Sequence, residues 1–258
     1  MALITLTSDL GHVDPYLATV KGRILGRCPG ARLVDVSHDI RPYDIKEAAW
    51  AVRYAWPHFP EQTIHWIGLD SQQVESVRYL VVVHQNHYFI GADDGLFALL
   101  FDHHPEFIFA IRNGVSLTHG ETGIFSDSVF AASYLAGGGD ILEIADQVRE
   151  IESRTALRAP ELPDAIRATV IHVDRFGNAV LNVDRETIER VGRGRKCYLR
   201  FRRQERIDGI SETYSDVLPG ERLFLYNDAG QLEIAVNQGN ASGLLGLDVN
   251  DTVQVAFE

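Results

Sequence analysis

Carboxylates stand at three points where an apolar stretch of this sequence gives way to polar residues. Asp9 follows ALITLTS, Asp70 follows IHWIGL, and Asp93 with Asp94 follows HYFIGA. Ligands of open α/β sheets bind at the carboxyl ends of strands, and a carboxylate such as Asp9 can accept both hydroxyl groups of a ribose. Turn formation or helix capping also explains each of these residues when it is taken singly.

The second of these points also carries a basic residue. Arg78 follows Asp70 by eight positions, at the end of DSQQVESVR. An aspartate beside an arginine can orient a water molecule and accept its proton, and the guanidinium would lower the pKa of the carboxyl group by roughly 1–3 units. The alternative is an ordinary junction between strand and loop, and the stretch alone leaves both interpretations open.

Polar and aromatic residues also surround turns in the last third of the chain. VDRFGNAVLNV places Asp174, Phe176 and Asn178 around one turn. An aspartate and an asparagine can hold ammonium and carboxylate groups, and a phenylalanine can stack on a flat ring; a hairpin turn chosen for backbone reasons is the alternative. NDAGQLEIAVNQGNAS places small and amide residues after a strand, where backbone groups can hydrogen-bond the edge of a base.

Alternating strands and helices must position the first two sets of residues. Asp14 before Pro15 predicts a helix N-cap, and Asp44 with Glu47 has the pattern of a capping box. VFAASYLA and ILEIADQV predict two later helices. Helices that alternate with continuous apolar strands indicate an α/β fold, with a central, mostly parallel sheet covered on both faces.

The chain changes character after its first 150 or so residues. Residues 157–165, LRAPELPDA, contain two prolines and mixed charge, which is typical of a linker. Beyond them, RATVIHV, AVLNV, KCYLRFR, RLFLY, LEIAV and TVQVAF all have the composition of strands. We therefore expect an N-terminal α/β domain over residues 1–156 and a smaller β-rich domain over residues 166–258.

Composition excludes several classes of protein. The 258 residues carry a formal net charge of −12, which repels phosphate backbones and argues against a nucleic-acid partner. The apolar stretches are too short for a membrane span, and MALITLTSDL does not resemble a signal peptide. Cys28 and Cys197 form no CxxC pair and fit a reducing compartment. We expect a cytoplasmic protein without membrane association.

Several cofactor and catalytic motifs are missing from the sequence. The ten histidines form no HxxxH or HxH pair, so we expect no metal site. Neither GxGxxG after the first strand nor GxxxxGK[ST] occurs, which disfavours a dinucleotide dehydrogenase or a P-loop enzyme. GxSxG is also missing, which weakens the case for a hydrolase with a serine triad.

Five separated stretches are similar, in order, to those of one enzyme family. They are TLTSDLGHVDPYLATVKG, VDVSHDI with PYDI, YFIGADDGLF, VDRFGNAVLNV, and LEIAVNQGNAS with LLGL. The chain resembles the S-adenosylmethionine (SAM) hydroxide adenosyltransferases, relatives of the fluorinating and chlorinating enzymes that act on the same substrate. The resemblance implies a Rossmann-like N-terminal domain, a β-barrel-like C-terminal domain and a homotrimer. Substrate would lie between the N-terminal domain of one subunit and the C-terminal domain of the next.

The resemblance assigns substrate contacts to N-terminal residues at matching positions. Asp9 looks like the acceptor of the ribose diol. Asp14 and Tyr16 fall where the methionine end is held, and Tyr43 falls where an aromatic residue walls the reacting carbon. Asp94, in GADDGLF, completes the substrate-binding residues expected in this part of the chain.

C-terminal residues receive roles in the same way. Asp174 and Asn178 match residues that bind the substrate, Asp174 at its amino group. Asn237 and Gln238 match positions that meet the adenine edge through their backbone. The substrate-binding residues expected in the C-terminal domain are Asp174, Phe176, Asn178, Asp228, Asn237 and Gln238.

The catalytic residues suggested by the resemblance are Asp70, Arg78 and Ser126. The family usually has Asp-Pro-Gly-Val-Gly before the arginine, where this chain has the longer DSQQVESVR. A histidine of a Phe-His-Gly-Arg-Asp stretch falls near Ser126 here, and His119 lies too far upstream unless the loop folds back. The halogenating relatives carry a tyrosine where Asp70 stands, so this aspartate favours water over halide as the nucleophile.

The resemblance implies hydrolysis of SAM to adenosine and methionine, by attack of water at the ribose 5′ carbon. SAM would be the substrate, and no cofactor is expected. Two other functions stay open from the sequence. The incomplete Asp-Arg-His set is compatible with a non-catalytic protein that binds SAM or adenosine, and a SAM-dependent halogenase is the third candidate.

Overall fold

A computed structural model of the protein describes residues 2–69, 77–154, 159–201 and 205–258. The chain divides into two compact units, Met1–Ala156 and Leu157–Glu258. Asp70, one of the expected catalytic residues, lies outside the described residues.

A seven-stranded sheet forms the centre of the first unit, with strand order β2-β1-β3-β5-β4-β6-β7. Its strands are β1 (Leu3–Ser8), β2 (Arg32–Ser37), β3 (Ile64–Gly68), β4 (Tyr79–His84), β5 (His87–Ala92), β6 (Phe107–Ile111) and β7 (Ala145–Val148). The pairings among β2, β1, β3 and β5 are parallel, and those that involve β4, β6 and β7 are antiparallel.

The sheet is therefore mixed, whereas the sequence suggested a mostly parallel one. The reason lies in the hairpin between β4 and β5. Its two turn residues, Gln85 and Asn86, both have positive φ, 46° and 60°. Such a turn matches the twist of two antiparallel strands, and β4 therefore runs against β5 and pairs with β6 on its other side.

Helices cover both faces of this sheet. They are α1 (Tyr16–Arg27), α2 (Ile45–Ala55), α3 (Leu96–Leu100), α4 (Val115–Thr118), α5 (Ser126–Ala136) and α6 (Ile141–Ile144). Because side chains alternate along a strand, Trp66 packs on the side of α1 and α5, while Ile67 packs on the side of α2 and α3. The sheet is thus buried on both faces, as the apolar strands indicate.

Two local predictions were wrong. The helix α1 begins at Tyr16 with Pro15 in the N-cap position, and among the described residues no side chain caps it, so Asp14 is not its cap. ILEIADQV is helical only to Ile144, because Ala145–Val148 pairs with β6 at the edge of the sheet. Pairing along this edge overrides the helical pattern of the segment.

The second unit is built around an eight-stranded antiparallel sheet. Its main path runs β12-β11-β15-β9-β10-β14-β13, and β8 pairs with β9. The strands are β8 (Glu161–Leu162), β9 (Ala165–Val173), β10 (Ala179–Asp184), β11 (Cys197–Phe201), β12 (Glu205–Asp208), β13 (Arg222–Tyr226), β14 (Gln231–Val236) and β15 (Thr252–Phe257). Helices α7 (Arg185–Gly192) and α8 (Ala241–Leu245) connect them.

This sheet curls into a nearly closed barrel. Its two end strands, β12 and β13, contact each other, and Arg222 on β13 donates a hydrogen bond to Glu205 on β12. Side chains from seven of the strands fill the interior, among them Leu199, Phe224 and Val255. The barrel-like character expected of this part of the chain is confirmed.

In the described ranges of the chain, no helix is both long enough and apolar enough to cross a membrane.

Candidate active site

Several expected site residues of the first unit lie at one edge of its sheet. Asp9 follows β1, Tyr43 lies in the segment after β2, and Asp94 follows β5. These three strands are parallel, so their carboxyl ends meet at the same edge. Arg78 precedes β4, which is antiparallel, and therefore lies at this edge as well. Ligands of α/β sheets bind at such an edge.

The loops after β1 and β2 are bound to each other. The backbone N–H of Tyr43 donates to Asp9 Oδ2 over 3.0 Å, and the N–H of Gly11 donates to the carbonyl of His38 over 2.9 Å. Tyr43 has φ 67°, in the left-handed region that residues with side chains rarely adopt. This conformation aims its N–H at Asp9 and leaves the ring 53% exposed.

A chain of polar contacts lies beneath these loops. Ser8 Oγ and His38 Nδ1 are 2.7 Å apart, and His38 Nε2 lies 3.1 Å from Asp35 Oδ1, at an oblique angle. Lys21 Nζ donates to the other oxygen of Asp35. Burial lowers the pKa of His38 despite the nearby carboxylate, so the ring is neutral. Burial acts to raise the pKa of Asp35, but the hydrogen bond from Lys21 and the close approach of His38 hold it below its usual value.

Asp14 and Tyr16 stand near the start of α1, and both are exposed. Tyr16 is the first residue of the helix, and Asp14 lies two residues before it, in the loop that follows β1. Both side chains are accessible to a ligand, and their expected contacts with the methionine end stay predictions.

Arg78 makes two polar contacts that the sequence did not indicate. Its Nε donates to Asp93 Oδ2 over 2.7 Å, and one terminal nitrogen donates to the carbonyl of Glu150 over 2.7 Å. Asp93 is almost fully buried and also accepts from the N–H of Glu152. Asp93 therefore anchors the guanidinium, while the paired role of Asp70 and Arg78 stays a prediction because Asp70 lies outside the described residues.

Asp94 has a local structural role. Its Oδ1 accepts a hydrogen bond from the N–H of Leu96 at the start of α3, over 3.1 Å. Burial raises the pKa of Asp94 above its usual value, although that hydrogen bond opposes the shift. The turn alternative weighed for GADDGLF thus describes this contact, and the expected substrate contact of Asp94 stays a prediction.

Ser126 is the first residue of α5, and its neighbours have structural contacts. Phe125, which has φ 52°, packs edge-on against Trp66, and Asp127 accepts hydrogen bonds from the N–H groups of Gly114 and Ser116. His119 packs on Phe130 in the same helix, and its Nδ1 lies 3.0 Å from the carbonyl of Val115.

The turn that holds Asp174 in the second unit is organised by the aspartate itself. Asp174 Oδ1 accepts from the N–H groups of Phe176 and Asn178, and Oδ2 accepts from the Asn178 side chain over 3.1 Å. Phe176 is 76% exposed, whereas Asn178 is buried. The hairpin alternative thus describes the backbone, and the exposed ring of Phe176 remains accessible for stacking.

The two C-terminal motifs meet at Gly177. Its carbonyl accepts from the N–H of Ser242, and a Cβ at this glycine would lie 2.3 Å from Asn240. Gly177 also has φ 84°, so both conformation and close approach require glycine there. VDRFGNAVLNV and NQGNAS therefore form one continuous surface of the second unit.

Asn237 and Gln238 sit at the turn that follows β14. The Asn237 side chain donates to the carbonyl of Val217 over 2.8 Å, so this amide stabilises the neighbouring loop. Gln238 is exposed and has φ 54°. The expected backbone contacts with a base edge stay predictions at both positions.

The sequence did not reveal an acidic group around β14. Glu233 is 4% exposed and accepts a hydrogen bond from Tyr214 over 2.8 Å. Burial, followed by the nearby charges of Asp174 and Asp228, raises the pKa of Glu233, although hydrogen bonds oppose the shift. The structure thus places Asp174 and Asp228 each close enough to Glu233 to affect its pKa. The only available signal was a glutamate inside the apolar stretch LEIAV.

Within the described ranges, no three His, Cys, Asp or Glu side chains are grouped so that they could hold a metal ion.

Comparison with known proteins gives a consistent family. The model of the SAM hydroxide adenosyltransferase N-terminal domain matches residues 4–145, and that of the C-terminal domain matches residues 168–254. A protein named (R)-S-adenosyl-L-methionine hydrolase, from Thermus thermophilus, is 32% identical over 263 residues, covering 96% of both chains. A fluorinase from an Actinoplanes species is 25% identical over 279 residues, covering 96% of this chain and 91% of that protein.

A solved structure supports the fold. An uncharacterised conserved protein from Thermotoga maritima superposes with a TM-score of 0.88 at 21% identity, covering 98% of this chain and 99% of that one. With an α/β unit and a barrel-like unit, the protein is of the SAM-utilising class that the family models and the named relatives define. The chain belongs to the SAM hydroxide adenosyltransferase family.

Proposed function

We propose that this protein hydrolyses SAM to adenosine and L-methionine. The observation that carries the proposal is the match of both family domains, together with relatives named as hydrolases of this compound. Asp9 and Tyr43 support it, because they stand together at the sheet edge where a nucleoside would bind.

In the proposed reaction, water attacks the 5′ carbon of the ribose. The new C–O bond forms as the C–S bond breaks, the bonding pair goes to sulfur, and methionine leaves as a neutral thioether. The sulfonium is already a good leaving group, so the protein mainly has to align the water and limit its solvation. Asp70 accepts the proton that the water releases, and Arg78 orients the water.

The contacts of Arg78 support a fixed guanidinium at this edge. Asp93 binds Nε and the carbonyl of Glu150 binds a terminal nitrogen. An arginine held at two points loses little freedom when it binds a further group. Ser126 is the third expected catalytic residue, because the family's histidine aligns near this position.

Substrate binding is proposed to use both units. Asp9 accepts the ribose hydroxyls, Asp14 and Tyr16 hold the methionine end, and Tyr43 walls the reacting carbon. The other residues proposed to contact substrate are Asp94, Asp174, Phe176, Asn178, Asp228, Asn237 and Gln238. SAM is a substrate, and the proposed reaction requires no cofactor.

Non-catalytic binding of SAM or adenosine is the second candidate. The observation that favours it is the ion pair between Arg78 and Asp93, because this buried carboxylate already balances the charge of the guanidinium. A halogenase is the third candidate, since a fluorinase is among the more distant relatives. Asp70 disfavours it, because a carboxylate would repel halide.

One experiment separates the three candidates. Purified protein is incubated with SAM, with and without chloride, and the nucleoside product is identified. We expect adenosine in both samples, with turnover reduced at least about a hundredfold in Asp70→Ala and Arg78→Ala. Arg53→Ala is the matched control, because Arg53 forms an exposed ion pair with Asp102. Binding without turnover would contradict hydrolysis, and chloride-dependent 5′-chloroadenosine would favour the halogenase.

Three further expectations belong to this proposal. A homotrimer is proposed from the family resemblance, and light scattering during size exclusion would test it. A Rossmann-like N-terminal unit is compatible with the parallel order β2-β1-β3-β5. Cytoplasmic localisation stays a prediction from the sequence.

A further inference from the structure

His38 is a buried side chain that the proposed reaction does not use. It is 1% exposed, and it meets Ser8, which is 0% exposed, over 2.7 Å. With Asp35 the three residues have the composition of a catalytic triad. Ser8 is too deeply buried to attack a substrate, so the set does not act as a nucleophile and its base.

The tautomer of His38 sets the direction of its hydrogen bond with Ser8. A neutral His38 that points its Nε2–H at Asp35 presents a bare Nδ1, which accepts the Ser8 hydroxyl proton. The Ser8 oxygen in turn accepts weakly from the N–H of Leu10, over 3.4 Å. The charged or titratable groups that face His38 are Asp35 on β2, Lys21 on α1 and His12 in the loop after β1.

This chain of contacts joins the two loops that carry the proposed ribose site. Ser8 immediately precedes Asp9, and the carbonyl of His38 accepts the N–H of Gly11. A further connection between these loops is the contact of Asp9 Oδ2 with the N–H of Tyr43. The His38 side chain therefore fixes the segment after β2 relative to the end of β1, at the residue that precedes Asp9.

We infer that His38 is a positioning residue, which acts through Ser8 and Asp35 to hold Asp9 and Tyr43 in the geometry that binds the ribose. The inference rests on the proposed function, in which Asp9 accepts the ribose hydroxyls. It assigns His38 an effect on nucleoside affinity rather than on the bond-breaking step.

A matched pair of variants tests this role. Ser8→Ala deletes the hydroxyl that binds His38, and Thr5→Val deletes a hydroxyl on the same strand, 2.7 Å from Nδ1 of the buried His65. We expect Ser8→Ala to raise the KM for SAM and the Kd for adenosine about tenfold, with kcat changed less than about twofold. Thr5→Val should leave KM and Kd unchanged while lowering stability.

A second pair avoids variants in the core. Asp35→Asn changes a carboxylate whose side chain is 40% exposed and should weaken adenosine binding about threefold. Lys21→Ala removes the other partner of Asp35 and should leave the affinity unchanged. These variants keep the inference testable if Ser8→Ala does not fold.

Adenosine affinity separates the two proposals, because it requires no turnover. A wild-type protein that binds adenosine but forms no adenosine from SAM would contradict the proposed hydrolysis. The adenosine affinities of the variants could still be compared with that of the wild type. Equal losses of affinity in Ser8→Ala and Thr5→Val, or no loss in Ser8→Ala and Asp35→Asn, would overturn the positioning role. Wild-type protein that forms adenosine from SAM while the KM for SAM is the same in wild type, Ser8→Ala and Asp35→Asn would leave the hydrolysis in place and overturn the positioning role.

Discussion

Two buried histidines bind hydroxyl groups of the same strand in different surroundings. His65 Nδ1 meets Thr5 Oγ1, and His38 Nδ1 meets Ser8 Oγ, each over 2.7 Å. The other nitrogen of His65 lies 3.1 Å from a ring nitrogen of His87, so this pair lies wholly within the core.

The surroundings of His38 differ in what they connect. Its other nitrogen faces Asp35, which is partly exposed, and its backbone binds a loop residue, Gly11. The same short hydrogen bond thus stabilises packing at one position of β1 and fixes a loop at another. Whether such a bond serves stability or binding depends on what its second nitrogen and its backbone contact.

Asp9 lies next to Ser8, the partner of His38, and removing its charge should have the largest effect of all on adenosine affinity. Asp9→Asn keeps an acceptor for the Tyr43 N–H but replaces two charge-assisted hydrogen bonds to the ribose, so we expect adenosine affinity to fall about a hundredfold. Calorimetric titration measures this, and the thermal midpoint should barely change.

A ligand analogue provides the control for that loss. Wild-type protein should bind 2′-deoxyadenosine more weakly than adenosine, and Asp9→Asn should lose most of this discrimination. Discrimination that survives in Asp9→Asn would show that another residue binds the 2′ hydroxyl.

Local sequence signals predicted the elements that position this site. Asp44 caps α2 by accepting the N–H of Glu47, as the capping-box pattern indicates, although Glu47 Oε2 binds Arg41 instead of closing the box. The position of Asp9 after β1 was also correct. These features depend on residues within a few positions of each other, which is the range over which capping and turn chemistry act.

Partners set by strand pairing could not be predicted. Ser8 and His38 lie 30 positions apart and meet only because β1 and β2 are parallel. Arg78 meets Asp93 because β4 turns back on β5. The ends of strands can be located from local sequence patterns. Which residues at those ends contact one another depends on how the strands pair, and local patterns do not specify that pairing.

The His65 end of the comparison predicts an acid-labile core. Burial, followed by the neighbouring His87, lowers the pKa of His65 to about 3. In the unfolded chain the pKa of this histidine is about 6.5, so the unfolded chain binds more protons than the folded chain as the pH falls below that value. We expect the free energy of unfolding to fall by about 2 kcal/mol between about pH 7 and pH 5 from His65 alone.

Urea unfolding at the two pH values measures this loss. His65→Gln lacks the titrating group and should show a smaller difference between the two pH values than the wild type, even if it is less stable at both. An identical pH dependence in the variant and the wild type would mean that other groups carry the acid sensitivity.

The smallest expected effects come from two residues with strained backbone, one near Asp9 and one in the β4–β5 turn. Tyr43 and Gln85 both have positive φ, 67° near Asp9 and 46° in the β4–β5 turn next to His84. Glycine tolerates this conformation, so each substitution removes up to about 1 kcal/mol of backbone strain from the folded state. Glycine also increases the conformational entropy of the unfolded chain, and this destabilising effect offsets part of the gain. Tyr43→Gly should also raise the KM for SAM about fivefold through loss of the aromatic wall, whereas Gln85→Gly should leave KM unchanged. Steady-state kinetics on both variants decide this, and a Tyr43→Gly enzyme with unchanged KM would remove Tyr43 from the binding site while leaving its backbone contact with Asp9 in place.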